Sequence, residues 1–224
     1  MKTPIIIVNF KTYNESTGEN SLNLAKICDK LSKQTQASIA VAVQTAEINK
    51  ISESISIPVL SQHIDPITPG RNTGFILPES VKQAGAKATI INHSEHRLDF
   101  ETLKQSIEKA KQINLKVVAC AKDADDAKKI ASLNPDFIAV EPPELIGGDI
   151  SVSTAKPEVI EDSVKAIKSV NPDIKVLCGA GVKNSDDVRK AIELGSQGIL
   201  VASGIVKAEN QEQAIKDLIN GLIS

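Results

Sequence analysis

The chain has no surplus of positive charge, no long apolar run and no paired-cysteine motif, and each absence removes a class of function. Lys and Arg total 26 against 28 Asp and Glu, a formal net charge of -2, and the isoelectric point is near 6.0. Nucleic-acid binders neutralise phosphates with excess Lys and Arg. No nucleic-acid partner is therefore expected, and any phosphate must be held at a local site. No stretch approaches the roughly 20 apolar residues that span a bilayer, so no membrane role is expected. At the start, Ile5 to Val8 is too short for the apolar core of a signal peptide, and Asn9, Lys11 and Asn14 follow at once. Cys28, Cys120 and Cys178 are odd in number, far apart and outside any CxxC spacing. A disulfide framework and a zinc site are both disfavoured. The three read as small buried apolar residues, and the expected location is a reducing cytoplasm.

What is present is an alternation. The 224 residues are 41% hydrophobic and 24% charged, which suits a globular core. No low-complexity segment, charge block or Gly/Ser linker divides them, so residues 1–224 read as a single domain. Short β-branched runs recur at Ile5–Asn9, Ser38–Val43, Pro58–Gln62, Ala88–Asn92, Lys116–Ala121, Phe137–Glu141, Ile174–Cys178 and Gly198–Val201. Between them apolar residues fall at helical period, as in Leu24, Ile27 and Leu31, in Leu103, Ile107 and Ala110, and in Ile160, Val164 and Ile167. Asp123 and Ser185 stand where N-caps belong, Pro157 suits a first turn, and Gly85 and Gly195 suit helix stops.

Strands that alternate with helices and are apolar on both faces imply a parallel sheet covered on both sides. An open doubly wound sheet and a closed barrel both satisfy this. Eight units share the chain at roughly 28 residues each, near the lower end of the size of a (β/α)₈ barrel. No GxGxxG follows the first strand, where a dinucleotide fold would place it. A compact α/β barrel is the favoured architecture.

In such a barrel the site lies at the C-terminal strand ends. Strand one ends Asn9-Phe10-Lys11, and a period of two puts Asn9 and Lys11 on one face. A lysine at the barrel mouth needs an anion; the plainer reading is a strand that simply ends in solvent. Strand four runs into His93-Ser94-Glu95-His96-Arg97, where Ser94 can start a short helix whose amides face the imidazole and favour the neutral ring as a donor. His63 and His96 read as structural or surface residues. Strand six delivers Glu141, followed by Pro142-Pro143 and then by Ile146-Gly147-Gly148. A carboxylate there is placed to act as a general base, and the prolines and glycines suggest a rigid flap on compliant hinges. The last two strands are followed by Cys178-Gly179-Ala180-Gly181 and by Ala202-Ser203-Gly204. Small residues in these two loops let backbone amides approach a phosphate.

Together these pieces resemble the triosephosphate isomerase family along the whole chain: Asn9-Phe10-Lys11 matches its N-x-K, His93-Ser94-Glu95 its H-S-E, and Val140-Glu141-Pro142 its E-P before the lid. Thr73-Gly74 is similar to its T-G interface segment. The resemblance implies a TIM barrel that interconverts dihydroxyacetone phosphate and glyceraldehyde 3-phosphate without a metal or redox cofactor. It implies Glu141 as base, neutral His93 as electrophile, Lys11 as fixed cation, Asn9 as orienter and Glu95 as the partner of Lys11. It places Ile146, Gly147, Gly181, Ala202 and Ser203 at the substrate and its phosphate. Pro-Pro-Glu-Leu stands where the family usually has P-V-W-A, and Cys-Gly-Ala-Gly where it has Y-G-G-S. The usual lid-latching hydroxyls are therefore missing. The short length and these loops resemble the archaeal branch, which implies a homotetramer. Two rivals stay open: another phosphate-binding barrel enzyme, such as a Schiff-base aldolase using Lys122 or a synthase of the indole and thiamin pathways, and a catalytically silent phospho-sugar sensor.

Overall fold

The computed structural model describes residues 1–142 and 156–222. Eight parallel strands close into a barrel whose ring order is the chain order: β1 (Ile5–Asn9), β2 (Ser38–Val43), β3 (Val59–Ser61), β4 (Ala88–Ile91), β5 (Lys116–Ala121), β6 (Phe137–Val140), β7 (Lys175–Cys178) and β8 (Gly198–Val201). The outer helices are α1 (Glu19–Thr35), α2 (Ile48–Ser52), α3 (Pro78–Gln83), α4 (Phe100–Gln112), α5 (Ala124–Ala131), α6 (Pro157–Val170), α7 (Ser185–Glu193), α8 (Ser203–Val206) and α9 (Gln211–Leu222). The open-sheet alternative is thereby removed.

Strand parity builds two concentric cores. Ile5, Ile7, Ala40, Ala42, Leu60, Ile90, Val118, Ala139, Leu177 and Leu200 fill the barrel interior. Their neighbours Ile6, Val8, Ile39, Val41, Val117, Ile138 and Val176 face the helices. Removing a buried side chain of this size costs roughly 2–5 kcal/mol, and a slip of one residue would exchange the two faces everywhere. The register is therefore strongly specified. The ring closes where β1 pairs with β8, Ile5 opposite Gly198. Gly198 has φ +147, and a Cβ there would lie 2.1 Å from the Ile5 carbonyl oxygen. Only glycine lets the last strand reach the first.

Helix ends follow side-chain chemistry. Asp123 caps α5 by accepting from the Asp126 amide, and Pro157 opens α6. Gly85 and Gly195 follow α3 and α7 with φ of +109 and +96, the left-handed stop that glycine permits. The expected Ser185 cap is corrected: Asn184 is the cap, accepting from the Asp187 amide at 2.9 Å. Ser185 is already helical, and its own amide donates to Asp217 at 3.0 Å. Four strands are shorter than their apolar runs. Pro58 and Gln62 fall outside β3, Ile174 precedes β7, and Asn92 and Glu141 lie just past β4 and β6, where the chain turns toward the barrel mouth.

Candidate active site

Asn9 and Glu141 converge because they share the inner parity of their strands, and His93 joins them through the left-handed turn at Asn92. After Ile5 and Ile7, Asn9 is the next inward residue of β1 and is buried, whereas Phe10 packs outward among the helices. The chain then leaves the extended region: Lys11 has φ +48. Its amide donates to Asn9 Oδ1 at 3.0 Å, a local turn of the kind Asn favours. Gln62 Nε2 donates to the Lys11 carbonyl at 2.9 Å. Lys11 is thus turned across the mouth, where its Nζ meets Glu95 Oε1 at 2.9 Å. Glu95 is 59% exposed, so this pair contributes little net stability.

His93 is 8% exposed, directly beyond the left-handed Asn92 (φ +58). The short helix expected at Ser94 is replaced by a turn, closed by the His96 amide donating to the His93 carbonyl at 2.8 Å. The Glu95 amide instead donates to His93 Nδ1 at 3.2 Å. An N–H pointing at Nδ1 makes that nitrogen an acceptor, which leaves the proton on Nε2. Nε2 lies 3.3 Å from Glu141 Oε1.

Glu141 is 2% exposed. Its amide donates to the Ala121 carbonyl at 2.8 Å, which holds the first residue past β6 in barrel register. Glu141 Oε2 is buried without a hydrogen-bond partner among the described residues, an arrangement that costs stability and is kept where chemistry uses it. Two residues not anticipated from the sequence shape this carboxylate. Gly179 continues the inner parity of Leu177, and a Cβ on it would stand 2.5 Å from Glu141 Cγ. It is the floor under the carboxylate, so its role is space rather than anion contact. The Cys120 thiol, fully buried on the inner face of β5, has its pKa raised by burial and then by the Glu141 charge and hydrogen bond. It stays a thiol.

One cleft joins Asn9, Lys11, His93 and Glu141 to Gly181, Ala202, Ser203 and Gly204, with Tyr13 and Lys183 also on its wall. Gly181 has φ +70, and Ala202 stands at the N-cap position of the short α8, where the first amides of a helix lack intrahelical carbonyls. A Cβ on Gly204 would meet the Val182 carbonyl at 2.9 Å, so the loops after β7 and β8 are pressed together. Ile146 and Gly147 lie outside the described residues. Lys122 is exposed, which removes the desolvation a Schiff-base lysine needs. His63 lies aside, stacked on His96 with ring centroids 4.3 Å apart. Burial pushes its pKa down, against the hydrogen bond that the ring donates to Asp65, and the His96 ring pushes it down further. The cleft thus carries a buried carboxylate beside an imidazole donor, a cation and an anion cradle, which suits proton transfer on a small phosphorylated carbonyl compound.

The profile of the family described as Triosephosphate isomerase matches residues 4–221. The chain belongs to the triosephosphate isomerase family. Relatives named Triosephosphate isomerase match over nearly the whole chain. The one from Methanothermus fervidus is 48% identical over 219 residues, covering 98% of this chain and 99% of that protein. That from Methanocaldococcus jannaschii is 49% identical over 215 residues, covering 96% and 98%. That from Methanobacterium bryantii is 49% identical over 219 residues, covering 98% and 97%. The family's N-x-K, H-S-E and E-P segments are the ones that the barrel brings to a single mouth.

Proposed function

We propose that this chain interconverts dihydroxyacetone phosphate and D-glyceraldehyde 3-phosphate by proton transfer through an enediolate. The observation that carries the reading is the contact of Glu141 Oε1 with His93 Nε2 at 3.3 Å at the floor of a cleft that also holds Lys11 and two small-residue loops. Glu141 takes a proton from one substrate carbon and returns it to the next. His93 Nε2 donates to the two substrate oxygens in turn as negative charge moves between them. Asn9 orients those oxygens, and Lys11, paired with Glu95, supplies the fixed positive charge for the dianionic substrate. Gly181, Ala202 and Ser203 receive the phosphate with their amides. The substrate's own carbonyl accepts the electron pair, so the reaction needs neither metal nor redox cofactor.

The 224 residues act as one catalytic domain in the cytoplasm. Assembly follows the archaeal-type pattern, a homotetramer. It is supported by the exposed Phe75, at 59% the most exposed large apolar side chain among the described residues, at the tip of the third loop beside Gly74 (φ +92). A phenylalanine so placed suits burial against another copy. Light scattering at micromolar concentration should give about four times the 23.9 kDa chain mass, and a monomer mass overturns this. For the activity, an assay coupled to each triose phosphate in turn tests the reading. Turnover in both directions is expected; none in either refutes it.

A further inference from the structure

The loop that carries His93 and Glu95 is closed at its base by one side chain. Asn92, 5% exposed, follows β4 in the left-handed region at φ +58, where Asn is tolerated better than most residues. Its Oδ1 accepts from the Leu98 amide at 2.9 Å, on the far side of the loop. Its Nδ2 donates to the Cys120 carbonyl at 2.9 Å, on the neighbouring strand. Arg97 repeats the connection, its Nη1 donating to the Asn92 carbonyl at 2.9 Å and to the Cys120 carbonyl at 3.1 Å. The five residues from His93 to Arg97 are therefore fastened at both ends to β5.

That strand is the one against which the base is set. The next residue along β5, Ala121, supplies the carbonyl that receives the Glu141 amide, and the Cys120 thiol faces the carboxylate. The distance from His93 to Glu141 is thus fixed through a short chain of contacts: the His93 loop to Asn92, Asn92 to β5, and β5 to Glu141. A glycine at position 92 could follow the same backbone path but could supply neither side-chain bond.

We propose that Asn92 is a positioning residue for the isomerisation, holding the His93 loop on β5 so that Nε2 meets both Glu141 and the substrate oxygens. It touches no substrate itself. The inference rests on the isomerase reading above, because that reading gives His93 its role. Binding of the substrate phosphate, which is assigned to Lys11 and the last two loops, does not pass through Asn92.

The test compares Asn92→Gly and Asn92→Asp with the unaltered chain. Asn92→Gly should lower kcat about ten- to a hundredfold, the scale set by a displacement near 1 Å, with KM changed by less than about threefold. Asn92→Asp keeps the acceptor for Leu98 and loses the donor to Cys120, so its kcat should fall between the two. The ¹⁵N spectrum of the His93 ring supplies a readout that a merely structural role would not move. It should show Nδ1 as acceptor and Nε2 protonated in the unaltered chain, and a mixture of tautomers in Asn92→Gly. Unchanged kcat and unchanged His93 nitrogen shifts in both variants, whatever happens to their melting temperatures, would overturn the proposal. If Asn92→Gly does not fold, the Asn92→Asp comparison decides. The unaltered chain's own turnover reports on the isomerase reading, so the two ideas fail separately.

Discussion

Replacing Gly179 with alanine should damage catalysis through Glu141 while leaving the barrel folded. The glycine has no left-handed φ, so an alanine can adopt its backbone without strain and the effect is purely spatial. Its Cβ would stand 2.5 Å from Glu141 Cγ, 3.1 Å from the Val140 carbonyl oxygen and 3.4 Å from Glu141 Cδ. Ordinary carbon contacts begin near 3.5 Å, so Glu141 must retreat by about 1 Å. The Val140 carbonyl is backbone within β6 and cannot give way as easily, which leaves the carboxylate arm to absorb the shift. A misplacement of that size costs a reacting group on the order of a hundredfold in rate. Overpacking of this kind costs about 1–3 kcal/mol of stability. The expected outcome is a kcat lowered about a hundredfold, a nearly unchanged KM and a modest fall in melting temperature. The coupled isomerase assay and thermal denaturation measure both. A Gly179→Ala enzyme with kcat within about twofold of the unaltered chain would show that Glu141 is not confined by this floor, and the packing argument would be wrong.

Three further outcomes can be checked alongside it. Glu141→Gln should lose about two to four orders of magnitude in turnover while still binding a phosphate-bearing analogue, with His93→Gln costing less because an amide can still donate; steady-state kinetics with analogue titration separates the two effects. Lys11→Met should abolish measurable substrate binding with the circular dichroism intact, because the dianion then meets a mouth whose fixed cation is gone. Asp29→Ala leaves the Ser56 and Ile57 amides, now 2.9 and 3.2 Å from Asp29 Oδ1, without that acceptor and should cost about 1–3 kcal/mol in urea denaturation. Burial is the largest influence on Asp29 and pushes its pKa up, but the Lys33 and Ser56 bonds together hold it below the usual value. The carboxyl therefore contributes stability above the unfolded value of about 3.9, and that contribution should fade as pH falls through the lower folded value. Asp29→Ala should lack this acid-side loss.

The barrel was legible in the sequence because its two-sided strands and one-sided helices differ in period, and the candidate residues Asn9, Lys11, His93 and Glu141 stand out there because each follows an apolar run with a side chain that a core rejects. Other features were not. Cys178-Gly179-Ala180-Gly181 reads as an anion loop, and only the inner parity shared by Leu177 and Gly179 could have shown that the first glycine serves Glu141. Asn92 reads as the last residue of a strand. An Asn immediately before a mouth histidine is a signal for a left-handed turn, but its bonds to Leu98 and Cys120 depend on tertiary placement. At Ser94 a helix start and a tight turn share the same local preferences, and the bond from the Glu95 amide to the His93 ring settles which forms. Asn184 and Ser185 are both good caps, so the choice fell to the next contact, the Asp217 carboxylate on α9.

The seam between β1 and β8 has a consequence for when the molecule becomes competent. Position 198 tolerates only glycine because the chain's first and last strands must touch there, and those strands deliver opposite halves of the proposed phosphate grip. Lys11 comes from the beginning of the chain, and Ala202 and Ser203 come from near its end. An emerging or clipped polypeptide could hold the lysine without the amides, or the amides without the lysine, and neither half would retain the substrate. On that proposed grip, ligand affinity is a check on completeness: triose phosphate stabilises molecules whose ring has shut.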